Sequence, residues 1–81
     1  MIMNKEKFIE EVSSLGEGVE IETNEDTYTI EEGESFIGGI EDTYMSEALG
    51  NIAYDDIESC ASALYDFITK ELKEKIINIS I

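Results

Sequence analysis

Between Phe8 and Thr69 the chain holds no basic residue: the five lysines stand at Lys5, Lys7, Lys70, Lys73 and Lys75, and 17 of the 20 acids lie in the 62-residue window between them. Apart from Glu10, Glu11 and Asp66, which stand within four residues of Lys7 or Lys70, the carboxylates in that window have no cation nearby in sequence, and an ionised group without a partner is not buried. Any fold open to this chain must therefore put those acids in water. The apolar residues between them must build the core by their spacing alone.

That spacing falls into recognisable periods. Phe8, Ile9, Val12 and Leu15 recur at helical intervals, with Asn4 as N-cap and Gly16 as the stop, which predicts a helix from Asn4 to Leu15. Val19, Ile21 and Thr23 then alternate with Glu20 and Glu22. After Asn24-Glu25-Asp26 the alternation resumes in Tyr28 and Ile30, so the pair predicts a β-hairpin. Glu32-Gly33-Glu34 is a second turn candidate, and Ser35-Phe36-Ile37 a short third strand ahead of Gly38-Gly39. Thr43 to Leu49, followed by Gly50, suits a short helix with Tyr44 and Ala48 on one side.

The strongest helical signal begins at Asp55, an N-cap with Glu58 three residues later. Ile57, Cys60, Ala61, Leu64, Ile68, Leu72 and Ile76 follow at helical spacing, which predicts a helix of about 18 to 20 residues with one apolar stripe. Ile77, Ile79 and Ile81 alternate with Asn78 and Ser80 and return the chain to the sheet. The expected fold is a single α+β domain over residues 1–81: an antiparallel sheet of three or four strands against a long C-terminal helix, with an N-terminal helix, in the order α-β-β-β-(α)-α-β. With 42% hydrophobic residues the chain is too apolar for a disordered acidic tail.

A net charge of −15 works against compaction and selects partners. Nucleic-acid backbones and anionic membranes repel carboxylates, so direct binding to either is not expected. No apolar run reaches the roughly 20 residues of a membrane span, and the opening Met1-Ile2-Met3-Asn4-Lys5 lacks the apolar stretch of a signal peptide. Both point to the cytoplasm. Without histidine, and with Cys60 alone, neither an internal disulfide nor the usual zinc clusters can form, and no cofactor or metal is expected. Asn24-Glu25-Asp26 and Glu41-Asp42 lack the glycine and terminal glutamate of a calcium loop, and Gly38-Gly39 lacks the lysine of a phosphate-binding one. Cys60 lies on the apolar stripe as a packed thiol, and a carboxylate pair would need a sheltered pocket to do acid-base work, so no enzymatic activity is expected. Length and acidity also resemble an acyl carrier protein, but position 43 is threonine where the carrier arm needs serine, and the predicted hairpin conflicts with an all-helical fold.

The predicted hairpin turns Glu20, Glu22, Thr29 and Glu31 to water. Alternate residues along a strand stand roughly 6.6–6.8 Å apart, similar in scale to neighbouring phosphates on a nucleic-acid strand. Glu32, Glu34, Glu41 and Asp42 continue the charge through the loops, and Asp55, Asp56 and Glu58 place three carboxylates at a helix start, where they also favour the helix dipole. Tyr44, Met45 and Tyr54 are candidate apolar anchors beside the acids, and equally candidates for the core.

In size, charge and order of elements the chain resembles the small acidic inhibitors of phages and other mobile elements, among them anti-CRISPR proteins, restriction inhibitors and uracil-DNA glycosylase inhibitors. That resemblance implies DNA or RNA mimicry: carboxylates occupy lysine and arginine sites that serve phosphates on a Cas effector or another defence nuclease. The expected partner-binding residues are Glu20, Glu22, Glu31, Glu32, Glu34, Glu41, Asp42, Tyr44, Asp55, Asp56 and Glu58. Allosteric inhibition away from the nucleic-acid groove remains open, as does an interaction or assembly module whose acidity serves solubility. The chain is expected to act as a monomer or as a homodimer through exposed strand edges.

Overall fold

In a computed structural model, which describes residues 4–33, 43–50 and 52–81, helices pack on one face of a four-stranded antiparallel sheet. The elements are α1 (Lys5–Leu15), β1 (Val19–Thr23), β2 (Thr27–Gly33), β3 (Thr43–Met45), a 3-10 turn (Glu47–Leu49), α2 (Ile57–Asp66), a π turn (Phe67–Glu71) and β4 (Ile76–Ser80). The sheet order is β3-β2-β1-β4, which sets the hairpin at its centre and brings the last strand back beside the first.

α1 starts as its sequence predicts. The Asn4 side chain accepts the Lys7 N–H at 2.8 Å, satisfying one of the donors that a helix start leaves open. Gly16 ends it at φ 82°, a backbone setting that costs glycine little. Phe8 and Val12 are fully buried, and the Phe8 ring meets Tyr65 of α2 at 5.3 Å between centroids. With Val19, Ile21 and Ile30 from the sheet and Cys60, Ala61, Leu64 and Ile68 from the second helical run they form one core.

Four details depart from the sequence reading. The Thr43–Leu49 stretch is not a helix: Thr43–Met45 pairs with Glu31–Gly33 as β3, and only Glu47–Leu49 coils before Gly50 turns left-handed at φ 76°. Threonine, tyrosine and methionine fit a pleated surface, and β2, which runs through the expected turn residues Glu32 and Gly33, gives them a partner. The strand expected at Ser35–Ile37 lies outside the described residues.

The second helix is capped by Asp56 rather than Asp55. Asp56 is extended at φ −140° and its carboxylate accepts the Ser59 N–H at 2.7 Å, so the start lies one residue later and Glu58 makes no capping box. The helical run is also shorter than its apolar period, ten α-helical residues followed by a five-residue π turn. Lys73 takes φ 56° and turns the chain out of it, leaving Leu72 39% exposed and placing Ile76 in β4 rather than on the helix. Finally, β4 is irregular. Ile76 pairs with Thr23 while Asn78 pairs with Glu22, so Ile77 is the extra residue of a bulge and is 59% exposed, whereas Ile79 packs on the core.

Candidate partner-binding face

The hairpin register decides where the acids stand. Val19 faces Ile30 and Ile21 faces Tyr28 across the ladder on the core side, so the intervening pairs Glu20 with Thr29 and Glu22 with Thr27 belong to the outer face. Ser80 and Asn78 lie opposite Glu20 and Glu22 on the β4 side, and Met45 lies opposite Glu31 on the β3 side. The outer face thus carries Glu20, Glu22 and Glu31, all exposed, among uncharged neighbours. Glu20 and Glu22 are one strand repeat apart, roughly 6.6–6.8 Å. Glu31 is a diagonal neighbour of Glu20, roughly 7–8 Å away.

The described ion pairs lie on the helices. Lys5 meets Asp66 at 2.8 Å, Lys70 meets the same carboxylate at 3.6 Å and Lys7 meets Glu11 at 3.6 Å. Hydrogen bonding and charge from Lys5 hold the Asp66 carboxyl below its ordinary pKa. No described ion pair involves Glu20, Glu22 or Glu31.

The other expected site residues separate from that face. Glu32 follows Glu31 on β2 and so belongs to the opposite side, across from Tyr44. Tyr44 is half-buried against the core, and its N–H and C=O both bond Tyr54, at 2.9 and 2.8 Å. Met45, by contrast, is on the outer face beside Glu31. Asp55, Asp56 and Glu58 are exposed at the start of α2, in the helical layer. Hydrogen bonds from Ser59 lower the Asp56 pKa, as a capping carboxylate requires. Glu34, Glu41 and Asp42 lie outside the described residues.

Two arrangements had no signal in the sequence. Glu74, between the π turn and β4, accepts the Thr23 hydroxyl at 2.6 Å and the Tyr28 hydroxyl at 2.8 and 2.9 Å. Burial and then Glu74 push the Tyr28 phenol up to about 12. Beside β2 there is also an open cleft of about 300 Å³, bordered by Asp26, Thr27 and Thr29 on one side and Ser46 and Glu47 on the other. Each depends on residues that only the sheet register brings together.

Cys60 is fully buried, and burial raises its thiol to about 11, which leaves it protonated at neutral pH. Among the described residues no three His, Cys, Asp or Glu side chains are grouped to hold a metal ion, and no helix is long and apolar enough to cross a membrane. Comparison with known proteins gave no match, whether to a family model, a curated protein or a solved structure.

Proposed function

We propose that the protein is an acidic inhibitor that binds the basic, nucleic-acid-binding surface of a host-defence effector, a CRISPR-Cas nuclease first among them, and competes there with DNA or RNA. It is a binder and not a catalyst. The observation that carries this reading is the outer sheet face: Glu20, Glu22 and Glu31 stand exposed on a rigid ladder among uncharged side chains, while the described lysine pairs are made on the helices. Carboxylates at strand spacing offer acceptors to lysine and arginine at intervals close to those of a phosphate chain. The excess charge steers encounter with a cationic surface.

The test is competition. The purified chain is titrated into a guide-loaded Cas nuclease bound to labelled DNA, across a range of ionic strength. Displacement that weakens steeply with salt, and that is lost in the Glu20→Gln/Glu22→Gln/Glu31→Gln variant, is the expected result. Displacement indifferent to salt, or retained by the triple variant, rules mimicry out.

A second reading has its own support in β4. This edge strand carries no charge or proline, and Ile77 and Ile81 beside it are 59% and 74% exposed. Such an edge invites strand addition, as in an assembly module or homodimer. If it pairs two copies, Ile77→Lys converts a sedimenting dimer to a monomer. If the wild-type chain sediments as a monomer at all concentrations, that pairing does not occur.

A further inference from the structure

The cleft beside β2 exists because two neighbouring strands end at different heights. Among the described residues β3 pairs with β2 along Glu31–Gly33, and at Ser46 the chain leaves the sheet for the 3-10 turn. Below that point β2 continues through Thr29 and Thr27 with β1 on one side and the cleft on the other.

The ladder phase identifies which main-chain groups face it. The Thr23 N–H donates to the Asp26 carbonyl and the Gly18 N–H to the Ile30 carbonyl, both at 2.8 Å, so the even-numbered residues of β2 address β1. In an antiparallel ladder the groups alternate, and Thr27 and Thr29 therefore direct theirs away from β1. The Thr27 N–H is taken by the Asp26 carboxylate at 2.8 Å. Among the described residues, the N–H and C=O of Thr29 and the C=O of Thr27 meet no partner and stand as one donor and two acceptors in strand geometry.

The opposite wall adds polar chemistry. Ser46 is 2% exposed, and its hydroxyl has no hydrogen-bond partner among the described residues. Glu47 and Asp26 are exposed acids of the lining, and no lysine lines the cleft. A volume of about 300 Å³ is at the lower end of ligand pockets, the scale of one side chain with a short length of backbone.

We propose that this cleft binds an extended basic segment of a protein partner. The main chain of the segment pairs with Thr29 as a short added strand, and one arginine or lysine side chain lies against the carboxylates of Asp26 and Glu47. The idea rests on the reading of the chain as a ligand for basic proteins, and it names the part of such a protein that docks and a site at the border of the outer glutamates, where Thr27 and Thr29 stand opposite Glu22 and Glu20. Strand pairing supplies orientation, which a charged face alone does not.

The probe is the acetylated and amidated pentapeptide Thr-Val-Arg-Val-Thr, titrated into the full ¹⁵N-labelled chain. Saturable shifts should concentrate in the amides of residues 27–29 and 46–48. A citrulline in place of the arginine, or Glu47→Gln in the protein, should weaken binding by about fivefold, the upper end for an exposed ion pair. The side chain of Glu47 has no described hydrogen bond or ion pair, so its replacement should leave the fold unchanged, which the remaining amide shifts verify. Methylating the peptide nitrogens should abolish binding whatever the charge.

Equal binding of the citrulline peptide, no binding at all, or shifts centred on Glu20, Glu22 and Glu31 would each overturn the assignment. The same would follow if these amides shifted with protein concentration alone, which would mark a second copy as the occupant. Because the titration reads the cleft without any effector present, its failure leaves the competition experiment on the outer face standing. Failure of that competition likewise leaves a positive titration intact.

Discussion

Neutralising the outer glutamates should strengthen the fold while destroying its proposed use. At strand spacing of about 6.7 Å, two carboxylates in water repel by roughly 0.6 kcal/mol. The diagonal pair of Glu20 and Glu31 at about 7.5 Å adds roughly 0.6 kcal/mol, for a total near 1.2 kcal/mol before screening. A Debye length of about 30 Å at 0.01 M salt leaves roughly 0.9 kcal/mol, and one of about 3 Å at 1 M leaves roughly 0.1 kcal/mol. The Glu20→Gln/Glu22→Gln/Glu31→Gln variant should therefore melt about 4–7 °C above the parent at low salt and alongside it at 1 M. Parallel thermal melts by circular dichroism at the two salt concentrations measure this. A variant less stable than the parent at low salt, or more stable by the same amount in both, would mean that these carboxylates are engaged in the folded chain and are not free for a partner.

Three further outcomes follow from the packing. Leu64→Ala empties a fully buried core position and should lower the unfolding free energy by about 2–5 kcal/mol in urea titration, a large part of what a domain of this size holds. Asp56→Ala should lower the melting temperature more than Asp55→Ala, since only Asp56 holds the Ser59 N–H; equal effects would refute the cap assignment. Among the four tyrosines, one should titrate near pH 12 by ultraviolet absorbance, and Glu74→Gln should bring it down. Because the folded pKa of Tyr28 lies above its unfolded value of about 10, its stabilising contribution is complete below pH 10 and disappears as pH rises through about 12. A phenol titration unchanged in the Glu74 variant would place the cause elsewhere.

What could be read in advance was whatever repeats locally. The alternation from Val19 to Ile30 indicated both the hairpin and the water-facing side of Glu20, Glu22 and Glu31, because a strand has only two faces and the apolar side claims one. Asn4 and Gly16 bounded α1 for the same reason: caps act within one turn. The Thr43–Leu49 stretch was misread because its strand exists only through pairing with a β2 longer than the apolar alternation suggested. Ile76 was misread because helical and strand periods overlap at Leu72–Ile76, and the break comes from a left-handed lysine that carries no sequence signal. The cleft and the Glu74 contacts were invisible for a related reason. Thr23 and Glu74 stand 51 residues apart, and no periodicity connects them.

That separation also governs the order in which the molecule can be assembled. β1 lies between a neighbour that follows after three intervening residues and one that arrives some fifty residues later. Closing the longer loop costs about 2.5 kcal/mol more chain entropy than closing the hairpin. A β1–β2 hairpin that forms before β4 docks leaves one flank of β1 bare, and the net charge of −15 repels like chains from that edge.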